Sequence, residues 1–465
     1  MLRDRRLSHL LVLGACAIGP AAVLHYFGGN QVEIGSNVHF LPIAVSAGLA
    51  SLAALALTLA GARRGDGRAV IVGTAFSTMA AMLAVHGLTT PGVLVDDNGV
   101  VAFSGAATLP IGGAVLALSA VPELRGPAAV RPLLWAQAVA LTVIAALGAA
   151  GIVLPGLVPS VPEPDSPAAI AVLAISLVFY GVVGARAART YMLTRRRADL
   201  LVVLGVVVLA AAVVPALLMS FWELGWWLGH AFELIGIGLV GVPVALDLHR
   251  GAQSRPLAGD LRGTELVSAA DGFLGPHVRA LLRRLAEKDE YTARHTRSVS
   301  LLAVRMGEEL GLPPARLREL AIGALLHDMG KLSIPDSILQ KPAALTEEEY
   351  AVIRRHPEWG AALVLQLGFG PQVARLVSDH HERLDGSGYP RGLREPELDL
   401  GTRVLMVCDV FDALLSARVY RDAWTLDDAL ELLRRECGQK LDRRCVEALE
   451  RILARDAAAP ARTAA

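Results

Sequence analysis

The chain has 465 residues, is 54% apolar and carries 44 basic and 44 acidic residues, so its formal net charge is zero. This length exceeds that of a single domain, and the apolar content exceeds that of an ordinary soluble protein. A neutral charge balance gives no reason to expect a nucleic-acid polymer as a partner. The four cysteines show no paired or CxxC spacing, which argues against a disulfide framework or a thiolate metal site.

The first half of the chain, residues 1–248, consists of long apolar runs and contains no lysine. About 20 apolar residues in a helix cross the core of a bilayer. We therefore predict a polytopic bundle of about eight membrane-spanning helices. The runs lie near residues 7–27, 38–60, 69–89, 105–121, 132–154, 168–185, 199–219 and 224–247.

The charges between these runs are sorted by sign. If the N-terminus is cytoplasmic, the cytoplasmic segments hold Arg3, Arg5, Arg6, Arg63, Arg64, Arg68, Arg125, Arg131, five arginines between 186 and 197, and Arg250. The opposite segments hold no arginine, and their acidic residues are Glu33, Asp96, Asp97, Glu163, Asp165 and Glu223. By the positive-inside rule this pattern predicts a multi-pass protein of the inner (cytoplasmic) membrane, with the N-terminus and the C-terminal half in the cytoplasm.

Ionisable residues inside the predicted spans include His39, His86, His230 and Glu233. His230 and Glu233 are three positions apart and share one face of the last span. Intramembrane ionisable residues are functional candidates. Two interpretations remain open: polar contacts between neighbouring helices or near the interface, or a site for a ligand, proton, metal or haem in a sensory bundle. A nearby group typical of an interfacial aromatic belt comprises Trp222, Trp226 and Trp227.

Residues 249–275 are polar and interrupted by proline and glycine, which predicts a linker. We expect residues 276–456 to form a soluble all-helical domain and the alanine-rich residues 457–465 to be a disordered tail. The first helix, at 276–287, packs either against its copy in a dimer or against the domain that follows. The remaining predicted helices span 292–310, 313–327, 346–367, 371–382, 400–416, 426–438 and 443–454, and Thr346 with Glu349 forms a capping box.

The stretch LLHDMGKLSIP, residues 325–335, places His327 and Asp328 at the end of an apolar helical run. Adjacent side chains on a helix diverge by about 100°, so this pair can reach two metal ions, or the carboxylate can bridge them. Other histidines and an aspartate lie beside apolar positions, where an unpaired polar group is costly. We predict a metal centre that suits iron, manganese or zinc rather than calcium. Its candidate ligands are His295, His327, Asp328, His356, His380, His381 and Asp409.

Several strings in the second half, matched in order, resemble the HD-GYP domain family, the HD-superfamily phosphodiesterases of cyclic di-GMP. They are HT at 295, LLHDMGKLSIPDSIL at 325, KPAALTEEEY at 341, HPEWGA at 356, HHERLDGSGYP at 380 and VCDVFDALLSARVYR at 407. The resemblance covers about residues 282–448 and says nothing about the membrane half. It implies the helical HD-domain phosphohydrolase fold.

The resemblance also implies two divalent metal ions, with iron or manganese favoured. One would be held by His295, His327, Asp328 and Asp409, and the other by Asp328, His356, His380 and His381. Asp328 would therefore bridge the two ions. Such a pair supplies hydroxide for in-line attack on a phosphodiester. Lys331 would pair with the phosphate or assist the leaving group.

The resemblance assigns Gly388, Tyr389 and Pro390 of the GYP loop, residues 385–390, to the substrate pocket or to partner recognition. Their glycine and proline chemistry explains a purely structural turn equally well. Arg418 and Arg421 match family positions that contact substrate phosphate or guanine, for which a guanidinium fork is suited.

Two positions depart from the family pattern. Tyr291 stands where some members carry a glutamate that binds a third metal, so we expect two metals here. Val419 replaces the usual proline after Arg418, which changes the loop but keeps both arginines.

The leading prediction is an integral-membrane enzyme whose bundle senses a signal and regulates hydrolysis of cyclic di-GMP to linear pGpG or GMP. One alternative is a phosphodiesterase for another cyclic dinucleotide. Another is a non-catalytic membrane receptor or scaffold that binds the nucleotide. A transporter is disfavoured, because no repeat or intramembrane charge pair is evident. A homodimer and signalling proteins that dock at the GYP loop are further partners that this interpretation allows.

Overall fold

The structure is a computed structural model that describes residues 18–33, 36–93, 98–154, 158, 161–164, 166–249, 261–416 and 422–458. Within these ranges the chain forms helices and isolated β-bridges but no strand. The predicted all-α fold class is confirmed. The chain divides into two compact units, the first ending at Asp260 and the second beginning at Leu261, apart from a few residues.

The first unit contains eight described helices. They are α1 (Ile18–Phe27), α2 (Ser36–Arg64), α3 (Gly67–Leu88), α4 (Gly99–Ala117), α5 (Pro127–Val153), α6 (Pro167–Thr194), α7 (Arg197–Leu218) and α8 (Leu224–His249). Seven of them, α2 to α8, are long and apolar enough to cross a membrane. The predicted first span, residues 7–27, lies mostly outside the described residues, so the count of eight stays a prediction.

The helices of the first unit differ in how much apolar surface they bury. α3 and α7 are the most buried, and α2 packs against both α3 and α8. In contrast, α5 and α6 leave large apolar side chains exposed, including Trp135, Leu147 and Ile175. An extended exposed apolar surface marks a region that contacts lipid or another apolar partner. The burial pattern therefore agrees with a bundle whose outer helices face lipid.

The second unit is a helical domain. Its helices are α9 (Gly263–Phe273), α10 (Pro276–Lys288), α11 (Glu290–Glu309), α12 (Pro314–Leu326), α13 (Asp336–Leu339), α14 (Glu347–Ile353), α15 (His356–Gln366), α16 (Pro371–Asp379), α17 (Leu400–Leu415), α18 (Leu426–Glu436) and α19 (Arg443–Ala458). The main hydrophobic core lies between α11, α12, α17, α18 and α19. α10 packs against α11 and against the 3₁₀ turn Met329–Ser333, which is the second of the two arrangements predicted for it.

Part of the segment predicted to be a linker is helical. α9 packs against α11 and α12 and buries Leu266 and Val267. The Gly263 amide donates to Glu308 Oε1 at 3.1 Å, which attaches the start of α9 to α11. The glycines of this segment favoured the prediction of a linker. The apolar face of α9 is only about two turns long, so its helical spacing gives a weak signal. The preceding residues, 250–260, lie outside the described ranges.

The single helix predicted over 346–367 is wrong. The Thr346 and Glu349 capping box opens α14 as predicted, but α14 ends at Ile353. A turn at residues 354–355 follows, and α15 begins with Pro357 in its first turn. Proline has no N–H to donate and its ring clashes with the preceding helical turn, so it favours a helix start over a helix interior. The break places His356 at the N-terminal end of α15.

Substituting Leu405 with alanine should destabilise the second unit. Leu405 on α17 is completely buried in the main core, whereas Leu365 on α15 is 50% exposed. A buried Leu to Ala change costs about 2–5 kcal/mol, or roughly 5–15 °C in the midpoint of a domain of this size. Thermal unfolding of the purified chain should show this shift for Leu405→Ala and a much smaller one for Leu365→Ala. Equal shifts would contradict the assigned core.

Candidate metal centre

Three predicted ligands are each held by the same kind of hydrogen bond to the backbone. In each, Nδ1 lies 2.8 Å from the carbonyl oxygen of the residue three positions earlier. The pairs are His327 with Ala324, His356 with Ile353, and His380 with Val377. Because a carbonyl only accepts, Nδ1 carries a proton in each ring, and in the neutral form of such a ring Nε2 presents a lone pair.

Helix ends explain where this hydrogen bond occurs. His327 directly follows α12, His380 directly follows α16, and His356 follows the turn that ends α14. The last four carbonyls of a helix lack an intrahelical donor. A histidine at such an end supplies that donor through Nδ1, so the backbone itself orients the ring.

The buried nitrogens fit a bound cation. His356 Nε2 and His380 Nε2 face each other at 3.3 Å, although both are lone-pair acceptors. A tetrahedral ion with metal to nitrogen distances of about 2.0–2.1 Å separates its ligand nitrogens by about 3.3–3.4 Å. Among the described residues, His327 Nε2 is buried without a hydrogen-bond partner. These orphaned acceptors and their imidazole and carboxylate neighbours form a donor set that suits a divalent transition ion.

Asp328 lies between two groups of ligands. Its Oδ2 is 3.5 Å from His327 Nε2, and its Oδ1 is 3.5 Å from His356 Nε2. Each carboxylate oxygen thus faces a different imidazole. Lys331, one turn further on, donates to Asp328 Oδ2 at 2.8 Å.

Asp409 on α17 also faces both groups. Its Oδ1 lies 3.0 Å from His295 Nε2 and 3.9 Å from His327 Nε2. Its Oδ2 lies 3.4 Å from His381 Nδ1. All seven candidate ligands thus converge in the second unit. Their ligand atoms form three groups that could each hold an ion: His356, His380, His381; His295, His327, Asp409; and His327, Asp328, His380.

Asp412 is a residue of the centre that was not singled out from the sequence. Its Oδ2 lies 2.7 Å from His295 Nδ1, on the side of the ring opposite Asp409. A carboxylate in this position orients a ligand imidazole and increases its basicity. Asp412 is one helical turn after Asp409 in the string VCDVFDA. The three-residue spacing of the two aspartates is the signal that could have identified it.

The electrostatics favour a cation. Burial lowers the pKa of His356 to about 4 and that of His381 to about 3, so both rings are neutral at neutral pH. Burial opposes ionisation of Asp328, but the Lys331 ammonium and the nearby imidazoles hold the pKa of Asp328 well below its usual range. For Asp409, burial is likewise outweighed by the hydrogen bond with His295, and its pKa is also held well below the usual range. The centre therefore combines ionised carboxylates with the neutral imidazoles of His356 and His381. His295 differs: burial opposes its protonation, but hydrogen bonds with Asp409 and Asp412 raise its pKa to about 10.

Backbone packing beside the ligands requires glycine at 330. A Cβ at Gly330 would lie 1.8 Å from the His356 carbonyl oxygen and 2.7 Å from the Gly360 amide nitrogen. The 3₁₀ turn after Asp328 therefore contacts the first turn of α15 directly. This contact brings His356 next to Asp328.

The GYP loop lies beside the ligands. The Tyr389 amide donates to the His381 carbonyl at 3.2 Å, and the two rings lie 4.8 Å apart between centroids. A Cβ at Gly388 would lie 2.4 Å from backbone atoms of Glu382 and Arg383, so this glycine is required by packing. Pro390 follows Tyr389 directly. The structural explanation for Gly388 is supported, and Tyr389 lies beside the predicted ligand His381.

Glu382 anchors the far side of this loop and was not singled out from the sequence. It is completely buried, and its carboxylate accepts from the amides of Arg391 at 2.8 Å and Leu393 at 3.0 Å. Arg418, Val419 and Arg421 lie outside the described residues, as does the side chain of Tyr291.

Residues 279–445 match the family model described as HD domain. Together with the helical fold and the convergent histidine and aspartate side chains, this match defines the class: the second half of the chain carries an HD domain. The resemblance to the HD-GYP family is confirmed for this domain by its relatives.

Three curated relatives share this similarity. The chain is 46% identical over 179 residues to the cyclic di-GMP phosphodiesterase response regulator RpfG of Xanthomonas campestris. The aligned residues cover 37% of this chain and 47% of that protein. It is 39% identical over 191 residues to the cyclic di-GMP phosphodiesterase PA4108 of Pseudomonas aeruginosa, with coverages of 40% and 45%. It is 41% identical over 155 residues to the 3'3'-cGAMP-specific phosphodiesterase 1 of Vibrio cholerae, with coverages of 33% and 36%. The chain thus spans less than half the length of these relatives.

Removing the carboxylate of Asp412 should weaken metal binding. Loss of an orienting carboxylate typically costs about 10–100-fold in metal affinity. We expect Asp412→Ala to show this loss in a Mn²⁺ titration, and Asp412→Asn, which keeps an acceptor oxygen, to show a smaller one. The exposed Asp427 on α18 provides the matched control, Asp427→Ala. Wild-type affinity in Asp412→Ala would rule out this orienting role.

Adding a methyl group at Gly330 should disrupt the centre. Gly330→Ala forces the turn away from α15 because the nearest obstacle is backbone. Gly272→Ala is the control, since a Cβ there meets nothing within 4 Å. We expect Gly330→Ala to lose at least about 10-fold in Mn²⁺ affinity, while Gly272→Ala binds normally. Unchanged binding in both variants would refute the close packing.

Proposed function

We propose that this chain is a membrane-anchored, metal-dependent phosphodiesterase that hydrolyses cyclic di-GMP to linear pGpG or GMP. The observation that carries the proposal is the convergence of seven imidazole and carboxylate ligands in one buried centre of an HD domain. The names of two relatives at 46% and 39% identity support this substrate class.

Two divalent ions, with iron or manganese favoured, fit the proposed site. His295, His327, Asp328 and Asp409 would hold one, and Asp328, His356, His380 and His381 the other. The two oxygens of Asp328 face different imidazoles, which supports its proposed bridging role. Such ions lower the pKa of a bound water and neutralise phosphodiester oxygens.

The residues of the chain contribute orientation and charge. The hydrogen bonds to backbone carbonyls and Asp412 hold the imidazole rings in place before substrate arrives. Lys331, bound to Asp328 and 17% exposed, is proposed to pair with a substrate phosphate or assist the leaving group. Tyr389 is proposed to contact substrate beside His381. Arg418 and Arg421 are proposed to contact its phosphate or guanine groups.

A second candidate substrate is 3'3'-cGAMP. The chain is 41% identical over 155 residues to a relative named for that specificity, a similarity comparable to that with the cyclic di-GMP enzymes. Both nucleotides contain the same phosphodiester ring and differ in one base. The metal centre therefore cannot distinguish them, and discrimination falls to residues that contact the bases.

The first unit, with its candidate membrane-spanning helices, is proposed to sense a signal and regulate this activity. The clusters of arginine that include Arg63 and Arg64 favour an orientation with the N-terminus and the catalytic domain in the cytoplasm, in the inner membrane. A homodimer and signalling proteins that dock at the GYP loop are further proposed partners. A non-catalytic receptor is disfavoured because none of the seven ligands has been lost.

Hydrolysis by the full chain tests this function. The purified protein, loaded with Mn²⁺ or Fe²⁺ in detergent, should convert cyclic di-GMP to pGpG or GMP, as identified by chromatography. Asp328→Ala should lose at least about 100-fold in rate, since it removes the ligand shared by both ions. His277→Ala, at an exposed histidine outside the centre, should retain the rate.

The same assay distinguishes the alternatives. Faster cleavage of 3'3'-cGAMP would establish the second substrate. Binding of either nucleotide without cleavage, in protein that contains both metals, would establish the receptor.

A further inference from the structure

Three histidines in the first unit bring their Nε2 atoms together. His39 on α2, His86 on α3 and His230 on α8 are distant in the sequence. His39 Nε2 lies 3.3 Å from His86 Nε2 and 3.4 Å from His230 Nε2. These values match the separation of about 3.3–3.4 Å between nitrogens on a tetrahedral ion. The three ligand atoms all lie within 4.8 Å of one another.

Backbone contacts fix two of the three rings. His86 Nδ1 donates to the Val101 carbonyl at 2.6 Å, and His230 Nδ1 donates to the Trp226 carbonyl at 3.1 Å. In the neutral rings, both Nε2 atoms therefore present lone pairs to His39. A single proton on His39 Nε2 can be directed at only one of them. Hydrogen bonding within the cluster thus leaves at least one of the two close nitrogen–nitrogen contacts without a hydrogen bond, whereas a bound cation is shared by the lone pairs of all three rings.

Aromatic rings enclose the cluster. His39 is 2% exposed and His86 is 3% exposed. The ring of His39 lies 4.7 Å from that of Trp226 and 5.5 Å from that of Trp227. These two tryptophans therefore pack on the histidines, whereas the sequence predicted an interfacial belt. Trp222, at 59% exposure, retains a position suited to that belt.

A cavity with a mainly apolar lining adjoins the histidines. It has a volume of about 170 Å³ and is lined by His86, His230 and Glu233, among other residues. Glu233 is 5% exposed, and its Oε1 has no hydrogen-bond partner among the described residues. It lies one helical turn from His230 on α8. The cavity offers room for a fourth ligand, and Glu233 offers negative charge beside it.

We propose that His39, His86 and His230 form a transition-metal site in the membrane unit, of the class that binds Zn²⁺ through three imidazoles. The fourth position faces the cavity and Glu233. A three-imidazole set without thiolate suits Zn²⁺ or Cu²⁺ rather than Ca²⁺ or Mg²⁺. The site is independent of the proposed hydrolysis, since it shares no residue with the metal centre of the HD domain.

The site lies at one end of the bundle. His39 is near the first residue of α2, His86 near the last residue of α3, and His230 near the first residue of α8. Arg63 and Arg64 are at the other end of α2. In the proposed orientation the site is therefore close to the outer face of the membrane, where it can take up ions from outside.

The zinc content of the chain tests the proposal once the metal centre of the HD domain can no longer bind metal. His327→Ala with His380→Ala removes a member from each of the three ligand groups of the second unit. The full chain with these two changes, purified in detergent and exposed to Zn²⁺, should retain about one zinc per chain after desalting. Adding His86→Gln should reduce zinc affinity at least about 10-fold. His25→Gln, at an exposed histidine on α1, should have no effect.

A second measurement does not depend on how His86→Gln folds. It is X-ray absorption at the zinc edge, recorded on the His327→Ala, His380→Ala variant with His86 unchanged. The expected zinc environment contains three imidazole nitrogens at about 2.0–2.1 Å. The proposal is overturned if no zinc is retained, if His86→Gln binds zinc normally, or if the zinc environment lacks three imidazoles. Because no arm measures hydrolysis, failure of the phosphodiesterase assay would leave this result intact.

Discussion

The hydrogen bond from histidine Nδ1 to a backbone carbonyl is the interaction on which the HD centre depends. It occurs at His327, His356 and His380, and each time it turns Nε2 into a buried acceptor directed at the other ligands. A buried acceptor without a partner costs about 1–3 kcal/mol. Folding thus creates a cluster of acceptors that a bound cation satisfies. Metal binding therefore also stabilises the folded domain, because the unfolded chain has no such site.

Residues between the ligands of the HD motif are as constrained as the ligands. Gly330 allows the turn after Asp328 to contact α15, and Gly388 allows the GYP loop to pass over the backbone of Glu382. Both glycines are needed for close approach of two backbones. The motif therefore encodes packing together with chemistry, and a substitution that spares every ligand can still abolish the centre.

Local patterns in the sequence predicted much of the fold and most of the site. Long apolar runs identified α2 to α8, helical spacing identified most helices of the HD domain, and the histidine and aspartate positions gave all seven candidate ligands that the structure brings together. Two local misjudgements, at α9 and at Pro357, came from weak signals in short helices. Asp412 was missed for a different reason. Its spacing from Asp409 is the one local signal, and its contact with the distant His295 depends on the packing of α17 against α11. The clustering of His39, His86 and His230 is likewise a product of tertiary packing.

The two histidine clusters differ in the charge that surrounds them. In the HD centre, Asp328 and Asp409 supply negative charge among the imidazoles, so two divalent ions can be balanced at close range. In the membrane unit, three neutral imidazoles alone would leave a divalent ion uncompensated in an apolar setting, where charge is costly. Glu233, buried at the same cavity and one turn from His230, is placed to offset part of that charge. Ion binding there would therefore join α2, α3 and α8 and draw the carboxylate of α8 towards them. Since the chain runs from α8 into the HD domain, α8 is the most direct covalent link between the bundle and that domain.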